Sequence, residues 1–340
     1  METLIFAADA ILPIITLIAL GYVLKQIGFL DDLFLKKANA LVFNVALPAL
    51  LFYNVYSIED LTALNWQVIG FVFIAILIIF LLGMLTVKYC THDPRKKGVL
   101  LQCIFRSNFA IIGIPLAETL GGTNAVAIAA VISAFSIPLY NILAVISLSI
   151  YVKDAKDYKT SSKQIAKSIC KNPLILGVLS GMVCLVIRHF VPYDEVTGTY
   201  AFTLKSNVSF LYKAIKNVGG IASPLALIVL GGQFKFAAVK SLAKDIVIGT
   251  VCRLILVPAF TLGSAVLLSK YTAWMQLTSI DYPALIALFG TPVAVSSAIM
   301  ASAMGSDEEL AGQLVVWTSL LSMVSLFIII MLFRGMGLLV

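Results

Sequence analysis

Asn108, Gly113 and Pro115 fall in the run RSNFAIIGIPLAETLGG (Arg106 to Gly122), and Gly290, Thr291 and Pro292 open the run GTPVAVSSAIMA (Gly290 to Ala301). Both runs lie inside hydrophobic segments long enough to cross a bilayer. There a proline removes one backbone hydrogen bond and collides with the carbonyl four residues back, at about 3 kcal/mol or more. Lipid offers the freed groups no partner, so such a break is tolerated only where it is buried in protein or lines a water-filled cavity. A half-helix that starts at mid-membrane presents unpaired N–H groups and the positive end of its dipole, which together make a ready anion site. Pro115 and Pro292 are each expected to split a span in this way. Either proline alone would be read as a kink; the matched pair argues for two breaks facing each other across a small carboxylate.

Other polar side chains cluster around the same two runs. Asn108 could present its amide to a carboxylate or hold unwound backbone. Arg106 either attracts anions at the inner mouth or snorkels toward cytoplasmic headgroups, and Arg253 carries the same two readings. An arginine at a helix centre costs on the order of 2.5 to 3.5 kcal/mol, so both should face protein or a cavity. Asn44, four residues before Pro48, caps freed backbone or lines the site. Thr291, Ser296, Ser297 and Ser302 are small hydroxyls that either contact substrate or serve ordinary helix packing.

Several chemistries find no support. The carboxylates sit in loops or near the ends of apolar segments, with Glu118 and Asp9 the deepest, so no buried proton relay or aspartyl pair is placed. His92 and His189 have no second histidine at metal-ligand spacing. The five cysteines are widely spaced without a CxxC pair and read as small apolar residues. No phosphate-binding loop argues for ATP-driven pumping. The expectation is a protein without enzymatic activity, metal or cofactor, with H+ or Na+ coupling left open because carbonyls, Asn44, Asn108 and hydroxyls could hold an ion.

The elements that must position these residues follow from composition. Of 340 residues 61% are hydrophobic and 12% charged, where soluble domains carry about a quarter charged, so the chain reads as an all-α polytopic membrane protein whose first partner is the lipid bilayer. Runs of about 20 apolar residues, the length that crosses the hydrocarbon core, give ten segments, near 5–24, 39–57, 67–88, 99–119, 125–151, 173–191, 218–234, 246–268, 283–303 and 311–333. The net charge of +7 does not point to nucleic acid, because the lysines lie in short loops. Sixteen Lys and Arg lie in loops after odd-numbered segments against six on the other side, which places the odd loops in the cytoplasm and both termini outside. No cleavable signal peptide is expected, since Glu2 and Asp9 replace a basic start.

The basic stretch KDAKDYKTSSKQIAKSICK (Lys153 to Lys171) is the most polar part of the chain. It reads as a cytoplasmic linker, 153–172, between a first half (1–152) and a second half (173–340) of five spans each, either as a solvated tether or as a short helix on the anionic inner leaflet. An odd number of spans per half inverts the second relative to the first. ALPALL (Ala46 to Leu51) echoes ASPLAL (Ala222 to Leu227), and Gly113-Ile-Pro115 echoes Gly290-Thr-Pro292. Paired Gly/Pro interruptions at corresponding places in inverted halves point to a transporter's midplane site.

With LGYVLKQIGFL (Leu20 to Leu30), FNVALPALLF (Phe43 to Phe52), NPLILGVLSG (Asn172 to Gly181) and SPLALIVLGG (Ser223 to Gly232) added to the two interrupted runs, the whole chain resembles the auxin efflux carrier family, in its prokaryotic malate/malonate-permease-like branch. The resemblance implies ten helices in a five-plus-five inverted repeat with broken, crossing spans four and nine, a fold similar to plant PIN carriers and bile-acid sodium symporters. It implies a scaffold from spans 1, 2, 6 and 7 and a transport domain from spans 3–5 and 8–10 that move as an elevator. A homodimer through the scaffold is left open. It further implies a small organic acid as ligand and a plasma-membrane location. Asn108, Gly113 and Pro115 match the family's first crossover, Gly290, Thr291 and Pro292 the second, and Asn44 the Asn-x-x-x-Pro of span two. This chain departs from plant members in its short central loop and in having no asparagine before the span-nine proline. The expected function is secondary transport of small organic anions by alternating access, with an anion channel or a non-transport membrane receptor as the alternatives.

Overall fold

The computed structural model describes residues 2–57, 66–151, 171–194, 199–235 and 237–339. The central basic linker lies almost entirely outside these residues. Each apolar segment expected from the sequence falls on helix. The first is α1 (Glu2–Gln26). The second is a composite of α2 (Asp32–Leu41), a π-helical turn (Val42–Ala46) and α3 (Leu47–Tyr56). The third is α4 (Trp66–Cys90). The fourth begins as α5 (Pro94–Phe105), loses helical geometry at residues 106–108, and resumes through a second π turn (Phe109–Gly113) into α6 (Ile114–Tyr151). Gly122 interrupts α6 at φ +63° and ψ −157°, a conformation that favours glycine, and separates the fourth segment from the fifth.

The second half runs through α7 (Pro173–His189), a two-residue antiparallel pair (Tyr193–Asp194 with Thr199–Tyr200), α8 (Ser209–Gly220) and α9 (Ala222–Gln233). It continues with α10 (Ala238–Val251), a third π turn (Cys252–Leu256), α11 (Val257–Tyr271), α12 (Asp281–Gly290), α13 (Ser296–Ala303) and α14 (Glu308–Gly335). Among the described residues, six helical stretches are long and apolar enough to cross a membrane by length and composition, with shorter apolar helices beside them. The protein is a multi-pass, essentially all-helical membrane protein.

Helix starts follow local chemistry. Asp31, Asp93, Asn172 and Asp307 each accept a hydrogen bond from a backbone N–H in the first turn that follows, which satisfies a donor the helix cannot. Pro94 and Pro173 occupy the first helical positions, where a missing N–H is harmless. Interior prolines have a different consequence. Each π turn ends two residues before a proline, namely Pro48, Pro115 and Pro258. A wider turn moves the preceding carbonyl away from the pyrrolidine ring, so the helix passes through where it would otherwise kink.

Close packing is set by glycine. α3 lies along α7, where a Cβ on Gly177 would stand 2.6 Å from the Pro48 carbonyl oxygen, and along α8, where one on Gly219 would stand 2.8 Å from the Leu50 Cα. α1 lies along α9, with Gly21 making room for the Ile228 carbonyl and Gly231 for that of Ile18. Lipid supplies no hydrophobic drive between membrane helices, so such small-residue seams carry the association through van der Waals contact. At the centre of the molecule α12 is buried along its whole length, Asp281 to Gly290, against α6, α11 and α14.

Candidate functional site: two helix breaks and a buried guanidinium

The two interrupted segments meet. The backbone N–H of Asn108 donates to the Pro292 carbonyl at 2.8 Å, and Ser107 and Val293 form an isolated antiparallel bridge. The second break falls at the proline, as expected: α12 ends at Gly290, Thr291 is extended (φ −74°, ψ 156°), and α13 starts at Ser296. In the first segment the break lies at Arg106 to Asn108 (Arg106 φ −90°, ψ 122°; Asn108 φ −85°, ψ 48°), well before Pro115, which sits inside resumed helix. The expectation that Pro115 itself splits the span is therefore corrected. The π turn before it relieves the clash, and the polar triplet Arg106-Ser107-Asn108 supplies the unwinding.

Arg253, in the π turn between α10 and α11, is fully buried and anchors both breaks. Its Nε donates to the Thr291 carbonyl (2.9 Å), Nη1 to those of Ile104 (3.3 Å) and Phe105 (3.4 Å), and Nη2 to those of Leu288 (3.4 Å) and Phe289 (2.9 Å). These carbonyls end α5 and α12, so one cation meets the negative ends of two half-helices. Of the two sequence readings of Arg253, neither headgroup snorkelling nor an open mouth describes this position. Thr318 of α14 accepts the Val293 N–H (3.3 Å), and the Thr291 hydroxyl donates to the Ala287 carbonyl (2.9 Å).

On the N-terminal side of the resumed half-helices lies a cavity of about 70 Å³, room for only a few waters with its walls as they stand. One wall is the crossover, Arg106 to Ile111 with Ala294 to Ser296; the facing walls are α3 (Leu47, Leu50, Leu51, Asn54), α9 with Ala222, Ser223 and Ala226, and α6 with Ile137, Tyr140 and Asn141. The orphan N–H groups of the turn beginning at Phe109 are at its edge. Arg106 is 5% exposed, far from a snorkelling position. Its Nη2 donates to Asn141 Oδ1 (2.7 Å) and Ser296 Oγ (2.8 Å), and its Nη1 to Gln102 Oε1 (3.3 Å) and the Met300 sulfur. All four partners are neutral, and among the described residues no carboxylate pairs with it. Asn108, 3% exposed, leaves its Nδ2 amide without an acceptor among the described residues.

The structure thus brings Asn108, Ser296 and Arg106 together at one cavity. Gly113, Pro115, Gly290, Thr291, Pro292 and Asn44 stand elsewhere. Gly113 packs on the Ala287 backbone, where a Cβ would lie 2.8 Å from the carbonyl oxygen. Pro115 is exposed, and Thr291 and Gly290 are buried in the support behind the cavity. Pro292 lends its carbonyl to Asn108. Asn44 is exposed and donates Nδ2 to the Ala40 carbonyl of the preceding turn at 2.9 Å. Asn54, Ser107, Tyr140, Asn141 and Ser223 line the cavity and were missed by the sequence reading. Asn141 had a usable signal, a polar amide deep in an apolar span. No group of three or more metal-ligating side chains occurs among the described residues.

The chain is also similar to known membrane proteins. A family model described as membrane transport protein matches residues 6–330. An uncharacterized transporter of Methanocaldococcus jannaschii is 27% identical over 266 residues, 76% of this chain and 79% of that one. An uncharacterized transporter of Methanothermobacter thermautotrophicus is 23% identical over 327 residues, 94% of this chain and 96% of that one.

Proposed function

Because the chain belongs to the membrane transport protein family, the auxin efflux carrier family that its motifs resemble, we propose that it is a secondary carrier of small organic anions working by alternating access. One observation carries the choice of charge: the Arg106 guanidinium is buried at the cavity wall with only neutral partners. A buried charge without a counter-charge is expensive, and an anion entering the cavity supplies the missing partner. Asn108 Nδ2 and the first N–H groups after the break offer further donors to the same carboxylate. The apolar remainder of the lining, Leu47, Leu50, Leu51, Ile111 and Ile137, suits a short carbon skeleton.

In this reading the ten segments are ten spans in a five-plus-five inverted repeat, with spans four and nine as the crossing pair. The glycine-seamed spans one, two, six and seven are the scaffold, and the crossover moves against α3 and α9 as an elevator in the plasma membrane, both termini outside. The cavity lies at that boundary, which supports such a motion: sliding there would carry Arg106 and Asn108 from one side to the other.

Reconstitution into proteoliposomes tests the function. Labelled mono- and dicarboxylates should enter saturably and show counterflow, with neutral and cationic analogues excluded. Flux linear in concentration without counterflow would make the protein a channel, and the absence of flux for all acids tried would remove the anion reading.

A further inference from the structure

Arg253 meets five backbone carbonyls, those of Ile104, Phe105, Leu288, Phe289 and Thr291, at 2.9 to 3.4 Å. A guanidinium has five N–H donors and no acceptor, so its donor count equals the number of oxygens around it. No carboxylate joins the cluster among the described residues; the counter-charge comes from backbone. Each helix C-terminus carries the equivalent of about half a negative charge, and the ends of α5 and α12 together balance one cation. Carbonyls at the unwound C-terminal ends of broken helices are also the ligands with which membrane carriers hold a coupling Na+ or proton. Here that set of oxygens is filled by a tethered side chain that is 0% exposed.

We infer that the carbonyl cage between the ends of α5 and α12 is a cation site whose permanent occupant is the Arg253 guanidinium, so that no exchangeable cation binds at the crossover. The fixed charge holds the two half-helices together through every conformation, where a diffusible ion would tie their geometry to its own concentration. The consequence for coupling rests on the carrier reading above: transport would be driven without sodium at this position. The cage itself can be tested without substrate.

The experiment is thermal melting of purified protein in choline chloride, sodium chloride and low-millimolar guanidinium chloride, for the wild type and Arg253→Ala, with no organic acid present. The wild type should melt at the same temperature in all three. Arg253→Ala should melt lower and be restored saturably by guanidinium entering the emptied cage, while choline does nothing. A folded Arg253→Ala protein with no saturable guanidinium response would overturn the assignment. Saturable stabilisation of the wild type by sodium over choline would overturn it too, and that arm decides the matter even where Arg253→Ala fails to fold. Because no anion is present, either result leaves the transport assay an independent test of the carrier reading.

Discussion

The backbone N–H of Asn108 donates to the carbonyl of Pro292 at 2.8 Å, joining two residues that are distant in sequence and each sit in a break of a membrane segment. Each break frees groups that lipid cannot satisfy, and here one break supplies the acceptor for the other's donor. Pro292 suits this role: it has no N–H of its own to place, and its carbonyl faces the Asn108 N–H of the other break. The two breaks are thus one structural unit, steadied from behind by Arg253 and open to the cavity in front.

Asn108→Ala separates binding from folding. The Nδ2 amide is buried without an acceptor among the described residues, so removing it relieves a desolvation penalty of about 1 to 3 kcal/mol in the empty protein. The ligand-free melting temperature should hold or rise. A hydrogen bond to a charged group is worth about 1.5 to 3 kcal/mol, so half-saturation for a transported acid should rise about ten- to a hundredfold. Uptake kinetics and melting on the same preparation check both, and a variant that melts lower with unchanged uptake would contradict the site.

Arg106→Gln keeps hydrogen bonding and removes the charge facing the cavity. Stabilisation of the wild type by a bound carboxylate, which grows with ligand concentration as RT ln(1 + [L]/Kd), should disappear in this variant, together with saturable uptake. Arg106→Lys keeps the charge but loses the planar fork whose Nη1 reaches Gln102 while Nη2 reaches Asn141 and Ser296, so it should retain transport at reduced affinity. Equal transport by all three proteins would show that the charge does not face substrate.

The outline of this molecule was legible in the sequence because membrane spans are written as long apolar runs, and each expected segment falls on helix. The second break was legible because Pro292 stands where the helix stops. The first was displaced, since Pro115 is the conspicuous residue while the unwinding falls at Arg106 to Asn108; a π turn can absorb a proline, and nothing in a one-dimensional pattern announces a π turn. Asn141, Tyr140 and Asn54 reached the cavity from other helices, and no local motif encodes which face of α3 or α6 turns inward. Arg253 resisted reading for a related reason: its partners are all main-chain oxygens, which leave no trace in side-chain identities.

At the end of α5 outside the apolar run, Lys96 pairs with Asp245 of α10 at 3.0 Å. The hydrogen bond to Asp245 holds the Lys96 ammonium above its ordinary value. A raised folded-state value means the contribution to stability is fully present below the unfolded value, about 10.4, and is lost as pH climbs through the folded one. Between about pH 6 and 9 it should therefore be constant. The melting difference between wild type and Lys96→Met should not change over that window, and a double-mutant cycle with Asp245→Asn should return a coupling of about 1 kcal/mol or less for a pair partly open to solvent.

Pro258 follows the π turn that carries Arg253, and the carbonyl its ring would strike in an α-helix belongs to Leu254, four residues back. With Pro258→Ala that steric demand vanishes and the turn can tighten to α geometry. One residue of slippage rotates a helical side chain by about 100°, which would swing Arg253 out of reach of the Phe289 and Thr291 carbonyls. Pro258→Ala should therefore reproduce the melting loss of Arg253→Ala, and the double variant should lose little more than either single one, since both remove the same contacts and neighbouring changes are not additive. Melting temperatures of the four proteins decide it. Additive losses, or a Pro258→Ala protein as stable as the wild type, would mean that the π turn holds its shape without the proline and that Arg253 is placed by its carbonyl partners alone.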